Sequence, residues 1–193
     1  MDKYDIILSD EKQFAREVTL GVIVQQPLTV WYYLMPGMFI IDFLRRTTAI
    51  SRYTKHFMFP RQLAINAAQG LLKGYDKAAV NSRITAEIEN WLNSLHLYSP
   101  LLAEVQKHAV DLLTTHYCKL LNAEGNSIYE LIENAYTSRD AYESHVRELT
   151  SAEADIDRVI IEKMGQNEKL KEKLQLEARQ VEIGRQKILE NIL

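Results

Sequence analysis

Twenty-four consecutive residues of this chain, Val18 to Ile41, contain no Asp, Glu, Lys or Arg. A run of that length has to leave water, and either protein or lipid must cover it. It is long enough for a bilayer span, which needs about 20 mostly apolar residues. Its content argues against a simple span, because Gln25-Gln26-Pro27 breaks it early and Pro36-Gly37 breaks it late. What remains is two short apolar pieces, each narrower than a bilayer. Interfacial segments have this form, and so do helices at the centre of a bundle.

The flanks sharpen the choice. Residues 42–61 hold five basic residues and one acid, whereas residues 1–41 and 62–193 are each net acidic. The basic block Arg45, Arg46, Arg52, Lys55 and Arg61 therefore stands alone beside the apolar run, with His56 inside it and Asp42 at its start. Clusters of this size next to apolar sequence suit anionic headgroups, at about 1 kcal/mol per base. Trp31, Tyr32 and Tyr33 fan around one helical turn, and aromatic side chains with a polar tip favour the headgroup level. Met38, Phe39 and Phe43 make the following piece apolar. These eleven residues are the candidate lipid contacts. Under the alternative, Trp31, Phe39 and Phe43 are core residues covered by neighbouring helices, and the bases complement a helix C-terminus.

The fold class expected is all-α: a multi-helix bundle with a long C-terminal coiled-coil-like helix. Only seven Gly and four Pro occur, and no segment alternates with the period of two that a half-buried strand requires. A first helix is expected from near Ser9, carrying Phe14, Val18 and Leu20. A second runs from about Leu28 to Arg46, with Pro36-Gly37 kinking it. A third runs from Thr48 to Phe57. Pro60 then opens a helix that stops at Gly74. Ile84, Ile88, Trp91 and Leu95 form the stripe of the next. Ser99-Pro100 starts the best-defined helix, with Leu101, Val105, Ala109, Leu112, Tyr117, Leu120 and Leu121 as its apolar face and Gly125 after its end. Ser127-Ile128-Tyr129-Glu130 reads as a capping box. Thr150-Ser151-Ala152-Glu153 reads as another, unless it lies within a helix that begins near Arg139.

The composition shift near Thr150 divides a helical domain, residues 1–150, from an extension, residues 151–193. In the extension Leu174, Ala178, Val181, Arg185, Ile188 and Ile192 alternate spacings of four and three, and Ile156, Ile160 and Asn167 continue the frame upstream. That is a heptad-like seam, which packs on a helix of the same chain, of a second copy or of a protein partner. Gly165 and Gly184 weaken it. Arg185 breaks its apolar character, and Asn167 is placed to fix register.

Motifs of catalysis are missing. No Gly-rich phosphate loop, Gly-x-Ser-x-Gly elbow, His-Glu-x-x-His or Glu-x-x-His occurs. Glu104, His108 and Asp111 share one helix face, but Lys107, Thr115 and Lys119 share it too, the profile of a solvated surface. Cys118, the lone cysteine, excludes an internal disulfide and fits a reducing compartment. The short apolar run Ile6-Ile7-Leu8 is too short for the core of a secretory signal. The net charge of −3 gives nucleic acid no purchase.

These observations point first to a non-catalytic helical adaptor or scaffold that associates peripherally with a membrane. It would be cytoplasmic, at the inner face of that membrane, without cofactor or metal, with anionic lipid and a helix partner as its ligands. A soluble helical interaction module with residues 18–44 as its core is the alternative. A third class, an enzyme or carrier using the bundle interior, requires polar groups converging in an apolar pocket.

Overall fold

The computed structural model describes residues 2–24, 36–165 and 167–192; at 24 and 36–46 it describes the helical backbone alone. Seven helices account for most of these residues, and no strand occurs among them: α1 (Lys3–Val24), α2 (Pro36–Leu72), α3 (Lys77–Ser94), α4 (Pro100–Asn122), α5 (Ile128–Ala135), α6 (Arg139–Met164) and α7 (Glu168–Asn191). The chain is a helical bundle. Among the described residues no helix is long and apolar enough to cross a membrane.

Polar side chains set most of the helix starts. Asp76 Oδ2 accepts from the Ala79 amide at 2.8 Å, opening α3. Ser99 Oγ accepts from Leu102 at 3.2 Å, with Pro100 in the first turn of α4. Ser127 caps α5, and Glu130 Oε2 reaches back to the amide of Asn126 at 2.8 Å. Ser138 caps α6 by accepting from Ala141. Each such cap stabilises its helix by about 1 kcal/mol.

The core lies between α2 and α4. Ala64, Ile65 and Ala68 present a small, fully buried face on α2, and α4 meets it with Val110, Leu113, Tyr117 and Leu120. Side chains this small let two helix axes approach closely. α1 lies against α2 and α7, α3 against α2 and α4, and α6 against α4. Ile7, Ile84, Ile88, Leu102, Leu131 and Ile132 complete the interior, each adding about 1.5–3 kcal/mol through burial.

Several local expectations are corrected. α1 begins at Lys3 rather than near Ser9, because Ile6 and Ile7 are needed in the core. Its buried face is Ala15, Val18, Thr19 and Val22; Leu20 points outward. α2 is one helix from Pro36 through Pro60 to Leu72, with no fresh start at Pro60, while the expected helix from Leu28 and its kink at Pro36-Gly37 fall at the edge of the described residues. Proline in a helix interior costs about 3 kcal/mol. Packing offsets it here: Phe57 lies 3.9 Å beneath the Arg61 guanidinium and Phe59 stacks on Trp91 at 4.6 Å. The inward face of α4 keeps Ala109, Tyr117 and Leu120 as expected and adds Leu102, Val110 and Leu113, whereas Leu101 is half-exposed.

The C-terminal run is divided. Thr150 sits in the middle of α6, which Ser138 caps, so the chemistry of the second capping box goes unused. α6 ends at Gly165 with φ at 77°, a left-handed conformation that favours glycine. Asn167 is an N-cap rather than a register residue, accepting from Lys169 and Leu170 at 3.1 and 3.4 Å. α7, only 24 residues long, folds back over α1 and α6. Gly184 permits that approach, since a Cβ there would stand 2.5 Å from the ring of Phe14 on α1.

The apolar run is accounted for in part. Val18 and Val22 are buried against Val181 of α7, with Phe14, Tyr53, Phe57 and Leu176 around them. Protein covers that end of the stretch. Trp31, Tyr32 and Tyr33 lie outside the described residues, as do the side chains of Met38, Phe39, Phe43, Arg45 and Arg46.

Candidate functional site

Arg61 was expected to face lipid and instead lies in the interior, 6% exposed. Its Nε pairs with Glu11 of α1 at 3.1 Å and its Nη2 with Glu153 of α6 at 3.5 Å; Nη1 donates to the Phe57 carbonyl at 3.3 Å. Burial opposes its charge, and the carboxylates of Glu11 and Glu153 more than offset that, so its pKa is raised. Four helical turns along the basic block, Arg61 has rotated onto the face that meets α1 and α6. Arg52 and Lys55 remain exposed.

Glu153 is the hub. Arg185 of α7 donates to both its oxygens, at 2.8 and 3.0 Å, and to Thr150 Oγ1 at 2.8 Å. Glu11 completes the chain by accepting from Tyr117 Oη at 2.7 Å. One network thus ties α1, α2, α4, α6 and α7 together. Arg185, the residue that spoils the apolar seam, is the ionic anchor of the extension.

A cavity of about 340 Å³ opens beside this network. Tyr53, His56, Phe57 and Arg61 line it from α2, Trp91 from α3 and Ala109 from α4. Glu153, Ile156, Asp157 and Ile160 come from α6, and Leu174, Glu177, Ala178, Val181 and Arg185 from α7. The wall is mostly apolar. Five of the seven seam residues, Ile156, Ile160, Leu174, Ala178 and Val181, face this space. The other two turn to the core: Ile188 packs against it and Ile192 is buried.

Three further carboxylates line the wall without an ion pair to the network: Asp157, Glu177 and the exposed Glu182, which accepts from Gln186 at 2.7 Å. Glu177 accepts a hydrogen bond from Tyr53 Oη. Asp157 has no hydrogen-bond or ion-pair partner among the described residues. Burial first, then the charges of Glu177 and Glu153, push its pKa up to about 7. Burial also raises Glu177, against the pull of Tyr53 and Arg61.

A smaller cavity of about 50 Å³ lies across the same ionic network, sharing Arg61, Leu113, Leu149 and Arg185 with the large one. Asp10, His116, Tyr142 and His145 border it. His116 Nδ1 and Tyr136 Oη are 2.7 Å apart, and the rings of His116 and His145 stack at 4.8 Å. Burial, then the neighbouring cationic groups, lowers the His116 pKa well below its ordinary value and takes that of His145 to about 4. His145 Nε2 is buried with no hydrogen-bond partner among the described residues.

The remaining candidates stay at the surface. Glu104 and His108 are exposed, and Asp111 is engaged by Lys107 at 2.8 Å. No group of three metal-ligating side chains gathers among the described residues. Cys118 is half-buried, with its thiol pKa raised by burial.

Only the polar residues interleaved with the seam hinted at this site. Glu153 and Asp157 flank Ile156, Glu177 sits between Leu174 and Ala178, and Arg185 falls on the seam itself. Glu11, Tyr53 and Trp91 join from distant sequence. Comparison with protein-family models, curated proteins and solved structures found no match for this chain.

Proposed function

We propose that this protein is a non-catalytic binding protein whose bundle interior takes a small amphipathic guest. The observation that carries this is the cavity beside Glu153: about 340 Å³, mostly apolar, with a few charged groups converging on one side. Small-molecule sites have this character and begin at about this size. Water filling the space meets few polar partners on the wall, so an apolar guest displaces it favourably. The ionic network gives the cavity a rigid floor, with both arginines already held by carboxylates.

Nile red, an uncharged apolar dye, tests the reading. It is expected to bind the wild-type protein with enhanced fluorescence. Ala178→Trp, at an exposed position on the rim of the cavity, is expected to weaken binding at least ~10-fold by occupying the space, with a thermal midpoint within a few degrees of wild type. Undiminished binding in that variant would remove the cavity as the site.

A second reading keeps the membrane surface. Arg52 and Lys55 are exposed one turn apart on α2, and neither has an acid at ion-pair distance among the described residues. In the sequence Arg45 and Arg46 precede them and complete the basic stretch that follows the apolar run, which suits peripheral contact with anionic lipid. Arg61 has no part in it. Flotation with anionic liposomes is expected at low salt and to weaken at high salt. Changing Arg45, Arg46 and Arg52 together to Glu is expected to abolish it, and undisturbed flotation of that variant would exclude the basic stretch.

A further inference from the structure

We infer that the guest of the large cavity is an organic cation, an amine bearing an apolar tail, whose head group sits between Asp157 and Glu177. The inference rests on the cavity being a binding site and adds the chemical class of what binds.

The charge arrangement on the wall carries it. Glu153, Asp157, Glu177 and Glu182 contribute four carboxylates, Glu182 at an exposed position where it accepts from Gln186 at 2.7 Å; Arg61 and Arg185 contribute two guanidiniums and His56 an imidazole. Both guanidiniums are committed: Arg61 to Glu11 and Glu153, Arg185 to Glu153 through two oxygens. Asp157 has no hydrogen-bond or ion-pair partner among the described residues, and Glu177 has the Tyr53 hydroxyl and only the longer-range pull of Arg61, which is already paired with Glu11 and Glu153. Two carboxylates in such a setting repel each other, and either a proton or a bound cation must relieve them. Burial raises the pKa of each, and the charge of Glu177 adds to the rise at Asp157.

The rest of the wall decides what kind of cation fits. Metal ions require several oxygen, nitrogen or sulfur ligands at short range, and no such trio gathers among the described residues. Ile156, Ile160, Leu174 and Val181 instead offer a surface for hydrocarbon. A guest with a carboxylate head is disfavoured, since the arginines are already satisfied and Asp157 and Glu177 repel it. The ring of Phe57 is covered by Arg61 at 3.9 Å, so the carboxylates, rather than that ring face, hold the charge.

Isothermal titration with octylamine, octan-1-ol and octanoate separates the possibilities. Octylamine is expected to bind at least ~10-fold more tightly than octan-1-ol, and octanoate more weakly than either. Its affinity is expected to rise from pH 6 to pH 8, as the proton on Asp157 that competes with it is lost. In Asp157→Asn, and in Asp157→Asn with Glu177→Gln, the amine is expected to fall to the affinity of the alcohol while the alcohol is unaffected. The single variant removes an unpaired charge and keeps the test readable should the double variant unfold. Equal binding of amine and alcohol by the wild type would overturn the cation while leaving the cavity a binding site. So would an amine preference that survives both variants. Failure of all three probes to bind would overturn the cavity reading and this inference with it.

Discussion

Glu153→Ala is expected to destabilise the fold by about 2–4 kcal/mol. The loss is read as a lower denaturant midpoint with an unchanged slope. Removing one partner of a fully buried ion pair costs about 3–5 kcal/mol, because the remaining charge stays in a poorly solvated place. Glu153 is itself 31% exposed, which lowers the figure. Its two partners are not: Arg61 is 6% exposed and Arg185 7%. Arg61 keeps Glu11, whereas Arg185 keeps only the Thr150 hydroxyl. Arg185→Met added to Glu153→Ala is expected to recover part of the loss, since it removes the stranded cation, and the double-mutant cycle then reports a coupling of the order of 1–3 kcal/mol. A Glu153→Ala protein as stable as wild type would mean that the network is incidental to the fold. The same experiment bears on Arg61, whose charge holds helices together and so is expected to register in stability and not in vesicle binding.

His145→Phe is expected to leave stability near wild type at pH 7.5 and to raise it at pH 5 by about 1–2 kcal/mol. In the folded chain burial holds the pKa of His145 near 4, below the ordinary 6.5. Between those values the unfolded chain binds a proton that the folded chain refuses. The stability His145 permits is therefore fully present above pH 6.5 and is lost as the pH falls toward 4. His116, lowered in the same direction by burial and by His145, adds to the loss. Three carboxyl groups work the other way. Burial raises Asp10 to about 6, Asp157 to about 7, and Glu177 as well. They favour the folded state at low pH and lose that contribution as the pH rises through their folded values. The wild-type profile is the difference of the two sets, so the variant is needed to isolate the histidine. Phenylalanine keeps a ring for His116 to stack on, and of the two nitrogens it removes, the buried Nε2 has no hydrogen-bond partner among the described residues. Equal pH profiles for variant and wild type would show that the imidazole takes up its proton without unfolding.

Much of the bundle was legible from local chemistry. Ser99 and Ser127 stand at helix starts, and Gly74 and Gly125 follow helix ends, because an unpaired backbone group at a terminus is answered by residues next to it. The stripe Ile84, Ile88 was legible for the same kind of reason: periodicity is carried by a few consecutive residues. Where long-range packing outweighs a local signal, the sequence misled. Pro60 reads as a helix start, yet the apolar contacts on both sides of it carry α2 through. The heptad frame reads as one long helix, yet Gly165 and Asn167 turn the chain back on itself.

By itself, then, the sequence determined the helical class, the caps at Ser99 and Ser127 and the Ile84, Ile88 stripe of α3, since each depends on neighbours within a turn or two. The tertiary structure alone decided what those faces meet. Arg61 and Glu153 are 92 residues apart and Tyr53 and Glu177 are 124 apart. No period or motif links such pairs, because a charge becomes a buried anchor, or an unrelieved carboxylate on a cavity wall, only through what distant helices place around it.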